Sequence, residues 1–169
     1  MRRTNARALV LALALAGGAA QAQLSVPDPD WKEVDAPPPA PLRTSGLVRI
    51  DLPESMLRFG VDPASVSLSS DGIVRYVVVA TSNSGAVNAL YEGIRCSTGE
   101  MKLYARHNPD SGWVLVKDSG WRALHETRPS RHSLVIARNG ACIGGAPNQS
   151  AAQIVRDLGG SVNWRFSNN

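Results

Sequence analysis

Two cysteines, three histidines and a short run of arginines carry most of the chemical potential of this 169-residue chain. Cys96 and Cys142 are 46 positions apart. A catalytic thiol needs a neighbouring base and a lowered pKa. A zinc site needs two more ligands at workable spacing. A disulfide needs only an even pair in an oxidising compartment, and is the simplest of the three. His125 and His132 sit in an Arg-rich stretch and do not complete a zinc set. His107, His125 and His132 would need a serine nucleophile to support hydrolysis, and the chain has no Gly-x-Ser-x-Gly elbow. Gly144-Gly145-Ala146-Pro147 lacks the lysine of a phosphate loop and reads as a turn. Glu92, beside Gly93, is expected to be half-buried and paired with an arginine, while Arg95 points to the opposite face of the same strand. Trp113 and Trp121 suit stacking on a sugar or peptide, with core or rim packing the plainer expectation. Arg122, Arg128, Arg131 and Arg138 form the one local basic cluster, a candidate patch for an anionic partner whose pull would fade with salt. No catalytic, metal-binding or cofactor-binding residue is assigned.

The elements that must position these side chains begin after a leader. Arg2, Arg3 and Arg7 precede the apolar run Ala8–Leu15, and Ala20-Gln21-Ala22 is an A-x-A cleavage pattern. Residues 1–22 therefore read as a secretory signal, too short in its apolar part to span a bilayer. The formal charge of +4 includes those three arginines. Their removal leaves 15 basic against 14 acidic residues, or +1, with the arginines otherwise scattered, so nucleic acid is not an expected partner. Residues 23–45 hold six prolines and read as a polyproline-type linker, a stiff spacer on which Trp31 docks back to the domain.

From Gly46 the pattern is β. Leu47–Leu52 alternates, Arg58–Val61 is a second short piece, and Asp62-Pro63 predicts a capped tight turn through Ser65. Asp71-Gly72 predicts a primed hairpin turn between Val66–Ser70 and Ile73–Thr81, the latter apolar on both faces at its end like a central strand. Short turn clusters then lead to Val87–Cys96, Glu100–His107 and Trp113–Lys117, an antiparallel meander. Alternation puts Met101, Leu103 and Ala105 on one face and Lys102, Tyr104 and Arg106 on a wetter one. Gly120–His132 is irregular, and Ser133–Ala137 reads as a last short strand. Ser150-Ala151-Ala152-Gln153 is a capping box for a helix with the stripe Ile154, Val155 and Leu158, closed by a left-handed Gly159. The expected fold is α+β. An antiparallel meander over 46–158 carries a C-terminal helix on its buried face and one disulfide, and 159–169 form a tail.

Phe59–Val66, Asp71–Tyr76, Tyr91–Cys96, Lys102–Ala105 and Arg131–Leu134, followed by Cys142, resemble the cryptic-neisserial-protein-like family over about Asp30–Leu158. The central strand–Cys–strand portion has a weaker similarity to surface-adhesin-E-like domains. The first resemblance implies an exported envelope domain of unassigned role and carries no catalytic residues to transfer. That family usually has an aromatic-rich stretch before its second Cys, where this chain reads Leu134–Ala141. The functional expectation is a non-enzymatic periplasmic module that binds an envelope protein or anionic envelope polymer. A surface adhesin-like ligand binder and a cell-wall hydrolase are the alternatives.

Overall fold

The alternating and apolar stretches form an eight-stranded antiparallel sheet in the computed structural model, which describes residues 28–53, 55–124 and 131–160. β1 (Val48–Ile50) pairs with β2 (Arg58–Val61), and β2 pairs with the central β4 (Ile73–Thr81). A 3-10 turn at Pro63–Ser65 is capped by Asp62, whose carboxylate accepts from the Ala64 N–H. It passes the chain to β3 (Ser67–Leu68), which takes the rest of the same edge of β4. β5 (Val87–Arg95), β6 (Glu100–Asn108) and β7 (Gly112–Leu115) continue as a meander. β7 and β8 (Arg122–Ala123) share the outer edge of β6 and leave its middle uncovered by a strand. After β8 come α1 (Arg131–Ile136), a π turn (Ala137–Ala141), the small hairpin of β9 (Cys142–Ile143) and β10 (Ala146–Pro147), and α2 (Ala151–Gly159). The fold is thus antiparallel sheet plus C-terminal helix, with Cys96 and Cys142 joined as a disulfide.

Both faces of the sheet are covered, which is why every residue from Ile73 to Ala80 is buried. On one face Val74, Tyr76, Val78, Ile94 and Met101 pack under Ile136, Ile154 and Leu158 of the helical unit. On the other, Val77, Val79, Ala89, Tyr91 and Ala105 pack under Ala36, Leu42 and Leu47. The segment read as a linker is therefore, over residues 28–45, a strap laid across the second face. Its prolines make it extended, and its few apolar side chains decide what it covers.

Other expectations change for local reasons. Ser133–Ala137 is helix and π turn, not strand; a short apolar run cannot be told from a buried helix by periodicity. At Asp71-Gly72 only the glycine has positive φ, +76°. Ser69 N–H donates to the Ile73 carbonyl and Gly72 N–H to the Ser69 carbonyl, so the hairpin closes through a longer turn with a glycine bulge, not a primed one. In β6 a bulge makes Glu92 face Leu103 and Tyr91 face Ala105, with Tyr104 as the extra residue. Ala105 therefore leaves the face of Met101 and joins the strap-side core. Arg106, opposite Leu90, moves to the helix side. Ser150 caps α2 by accepting from the Gln153 N–H, yet the Gln153 amide donates to Asp157, so only half of the capping box forms. Gly159 is the last helical residue, without positive φ. The leader 1–22 and residues 161–169 of the tail lie outside the described residues.

Candidate functional site

Three polar or aromatic constellations stand out, and the sheet positions each. The first is buried on the helix side. Glu92 comes from β5, Tyr76 lies directly opposite on β4, and His132 and Ser133 come from the first turn of α1. Tyr76 OH donates to Glu92 Oε2 at 3.0 Å and Ser133 Oγ donates to the same oxygen at 2.8 Å. His132 Nε2 lies 3.0 Å from Oε1 and 3.1 Å from Oε2. Phe59 stacks flat on the imidazole, with centroids 5.1 Å apart. Burial, and then the Glu92 charge, push the Tyr76 phenol well above its ordinary value, so it remains a donor. Glu92 is thus fully buried and bound to a tyrosine, a serine and a histidine, not half-buried and paired with an arginine. A serine hydrolase needs the hydroxyl to face the imidazole. Here both face the carboxylate, which locks α1 onto the sheet.

The second constellation latches the strap. Glu33 accepts from Lys102 Nζ at 2.8 Å, Tyr104 OH at 2.8 Å and Trp121 Nε1 at 3.2 Å. Asp71 holds Arg75 at 2.8 Å, with both side chains fully buried. It also accepts the Val34 N–H, while its own carbonyl takes the Trp31 indole N–H. Arg75 Nη2 returns a bond to the Val34 carbonyl. The Trp31 ring lies against the Arg95 guanidinium, 3.6 Å from its centroid, and meets Trp121 edge-on. Burial alone would raise the Glu33 carboxyl, but bonds from Lys102, Tyr104 and Trp121 and the lysine charge outweigh it. Burial would likewise raise Asp71, and the Arg75 bond, two backbone N–H groups and the arginine charge hold it low. Tyr104 reaches Glu33 because Gly93 lies beneath it; a Cβ there would stand 2.8 Å from the Tyr104 ring.

The third constellation is open. A cavity of about 590 Å³ lies between strap residues Ala36–Pro39 and the β6–β7 edge. Tyr91, Tyr104, Trp113 and Leu115 stand in its apolar wall. Trp113 Nε1 donates to the Ala40 carbonyl at 2.9 Å, and His107 meets the indole edge-on. Leu115 is 70% exposed and Val114 48%, both on the terminal strand of the sheet. The groove can hold an extended apolar segment beside one that is already held.

The arginines singled out by type are spread over separate elements. Arg122, on β8, turns its guanidinium to Met101 Sδ at 3.6 Å. Arg131 opens α1 and Arg138 lies in the π turn, both exposed. Arg128 and His125 lie outside the described residues. Trp113 and Trp121 both bind the strap. Gly144 and Gly145 turn the β9–β10 hairpin. Of the latch, the docking of Trp31 is the part expected from the sequence; the roles of Glu33, Asp71 and Arg75 are not, because no spacing signal links positions some 40 residues apart. His132 and Ser133 do stand in the block Arg131–Leu134, adjacent but without an indicated partner.

Among the described residues no group of three or more His, Cys, Asp and Glu could hold a metal ion, and no helix is long and apolar enough to cross a membrane. The CNP1-like family matches the sequence over residues 26–159, which spans the strap, the sheet and both helices. No finding supports the likeness to surface-adhesin-E-like domains. No curated protein and no solved structure matches the chain.

Proposed function

The chain belongs to the CNP1-like family, and from that premise we propose that it is an exported, non-enzymatic envelope module whose strap-side groove takes an extended apolar segment of another envelope protein. The groove itself carries this reading. Its volume falls within the range of ligand sites, about 300–1,000 Å³. Its wall joins aromatic side chains to a terminal strand, the arrangement in which an extended peptide gains backbone bonds from an edge and side-chain contacts from pockets. The strap is already an instance of such recognition, a proline-rich segment fixed by an indole N–H. Glu92, His132 and Ser133 commit their bonds to one another inside the core, which favours binding over hydrolysis. Export is supported by the leader pattern of residues 1–22 and by the disulfide, a bond that persists in oxidising compartments.

The test is a photo-cross-linking residue placed at Leu115 in intact cells, with Met56, 83% exposed and away from the groove, as control. A discrete adduct at 115 is expected, with its partner end mapping to an extended apolar segment. A synthetic peptide of that segment should bind the purified protein and lose about tenfold in affinity with Leu115→Glu. Equal adducts at both positions, no adduct at 115, or a partner end in a folded helix would overturn the reading.

A further inference from the structure

A second cavity, of about 440 Å³, lies across the turn that joins β7 to β8, at the same uncovered stretch of β6. We infer that this cavity binds a phosphomonoester, held by Arg106, Lys117 and Arg122. It goes beyond the groove reading: the two cavities adjoin and share Leu103, Val116, Asp118 and Ser119, but Arg106, Lys117 and Arg122 line this one and not the groove.

Strict alternation along β6 would leave Arg106 with Lys102 and Tyr104. The bulge at Tyr104 reverses that and delivers Arg106 to the helix side, where it lines this cavity. Asp118, the one non-glycine residue with positive φ (55°) among the described residues, bends the chain away from β6 so that Lys117 and Ser119 reach the rim. Arg122 enters from β8, and among the described residues its guanidinium has a weak bond to Met101 Sδ and no carboxylate partner. Among the described residues the side chains of Arg106 and Lys117 have no ion-pair or hydrogen-bond partner, and Asp118 is the only acidic residue in the wall. Three cations against one carboxylate leave a local charge of +2. Like charges gathered without partners repel, and a bound anion relieves that repulsion.

The charge and the donor set choose the anion. A phosphomonoester carries about −1.5 to −2 at neutral pH and offers three strong acceptor oxygens. Arginine meets phosphate with two parallel N–H bonds, and lysine with a compact point charge. The Ser119 hydroxyl is a further donor on the rim. The cavity has room for the phosphate and a small polar group behind it. The same phosphate can arrive on a soluble ester or as a lipid headgroup, and vesicle binding separates the two.

Purified, disulfide-bonded protein is titrated calorimetrically with glycerol 3-phosphate, with glycerol as the uncharged control. Saturable binding of the ester alone is expected at low ionic strength, weakening as salt rises to about 0.15 M. The exposed pair Arg106→Gln and Arg122→Gln, combined, should weaken it about tenfold or more. Arg49→Gln with Arg58→Gln removes the same charge from the β1–β2 edge and should leave binding within about twofold. Leu115→Glu, which alters the groove only, should also leave it within about twofold. Matching thermal melts establish that the variants are folded. Sedimentation with phosphatidic-acid vesicles but not phosphatidylcholine vesicles, lost with Arg106→Gln and Arg122→Gln, assigns the site to a lipid headgroup. Ester binding without vesicle binding assigns it to a soluble phosphate ester. No saturable binding to ester or phosphatidic-acid vesicles, equal losses in the two double variants, or an equal loss with Leu115→Glu would overturn the proposal.

Discussion

Glu92 is the residue on which the helix side turns. Three side chains from β4 and α1 point at one buried carboxylate, so its removal strands two hydroxyls and an imidazole away from water. Glu92→Ala should cost about 3–5 kcal/mol, as breaking a buried charged cluster does, whereas Ser133→Ala should cost about 1 kcal/mol. Urea midpoints measure both, and similar losses would show that the carboxylate is not the hub. On the opposite face the titrating latches are Glu33 and Asp71, both held below their ordinary values. A depressed carboxyl contributes stability that is complete above its unfolded pKa, near 4.5 for Glu33 and 3.8 for Asp71, and is lost as pH falls through the lower folded value. Strap contacts should therefore begin to weaken as pH falls below about 4.5, where the Glu33 contribution starts to go, and weaken further below about 3.8, where that of Asp71 follows. The Trp31 indole proton, bonded to the Asp71 carbonyl, reports it by NMR. A Trp31 signal unchanged throughout the acid range while the sheet stays folded would contradict the latch.

Elements meet at two glycines whose roles differ. Gly72 has φ +76° and open space around its Cβ position, so Gly72→Val should cost more than about 1 kcal/mol through backbone strain alone. Gly140 lies in the π turn, where a Cβ would stand 2.8 Å from Leu158 Cγ and 2.9 Å from the Ile154 carbonyl oxygen. The leucine can rotate away but the helix backbone cannot, so Gly140→Ala should shift α2 and cost about 1–3 kcal/mol. Denaturant melts of both variants, with amide shifts of α2, discriminate strain from overpacking: only Gly140→Ala should perturb Ile154 and Leu158. The bulge in β6 is the third element-scale device. One extra residue moves Ala105 into the strap-side core and sends Arg106 to the other side, where the second cavity opens.

For the whole molecule the decisive feature is a sheet covered twice, by a disulfide-tied helical unit on one face and by the strap on the other. Cys96 at the end of β5 and Cys142 in β9 have Cα atoms 5.7 Å apart and close a loop whose chain-entropy contribution is roughly 4 kcal/mol. Protein from an oxidising compartment should show no thiol to a labelling reagent before reduction. The Cys96→Ser, Cys142→Ser double variant should lose stability of about that size, and two labelled thiols in the native protein would disprove the bond. The main strands β1, β2 and β4–β7, the turn glycines between them, the Asp62 cap, the Ser150 helix start and the cysteine pair were legible in the residues, because each depends on neighbours within a few positions or on simple pairing. The sequence by itself therefore determined an antiparallel sheet with a terminal helix, and a proline-rich stretch that could be neither helix nor central strand. Tertiary structure alone decided that this stretch is a strap, that Ser133–Ala137 is helical, and that Glu92 binds His132 and Ser133 instead of an arginine. It also decided which arginines share a cavity. Those outcomes depend on contacts between residues tens of positions apart and on one bulge that reverses side-chain parity, and neither leaves a periodic trace in the chain.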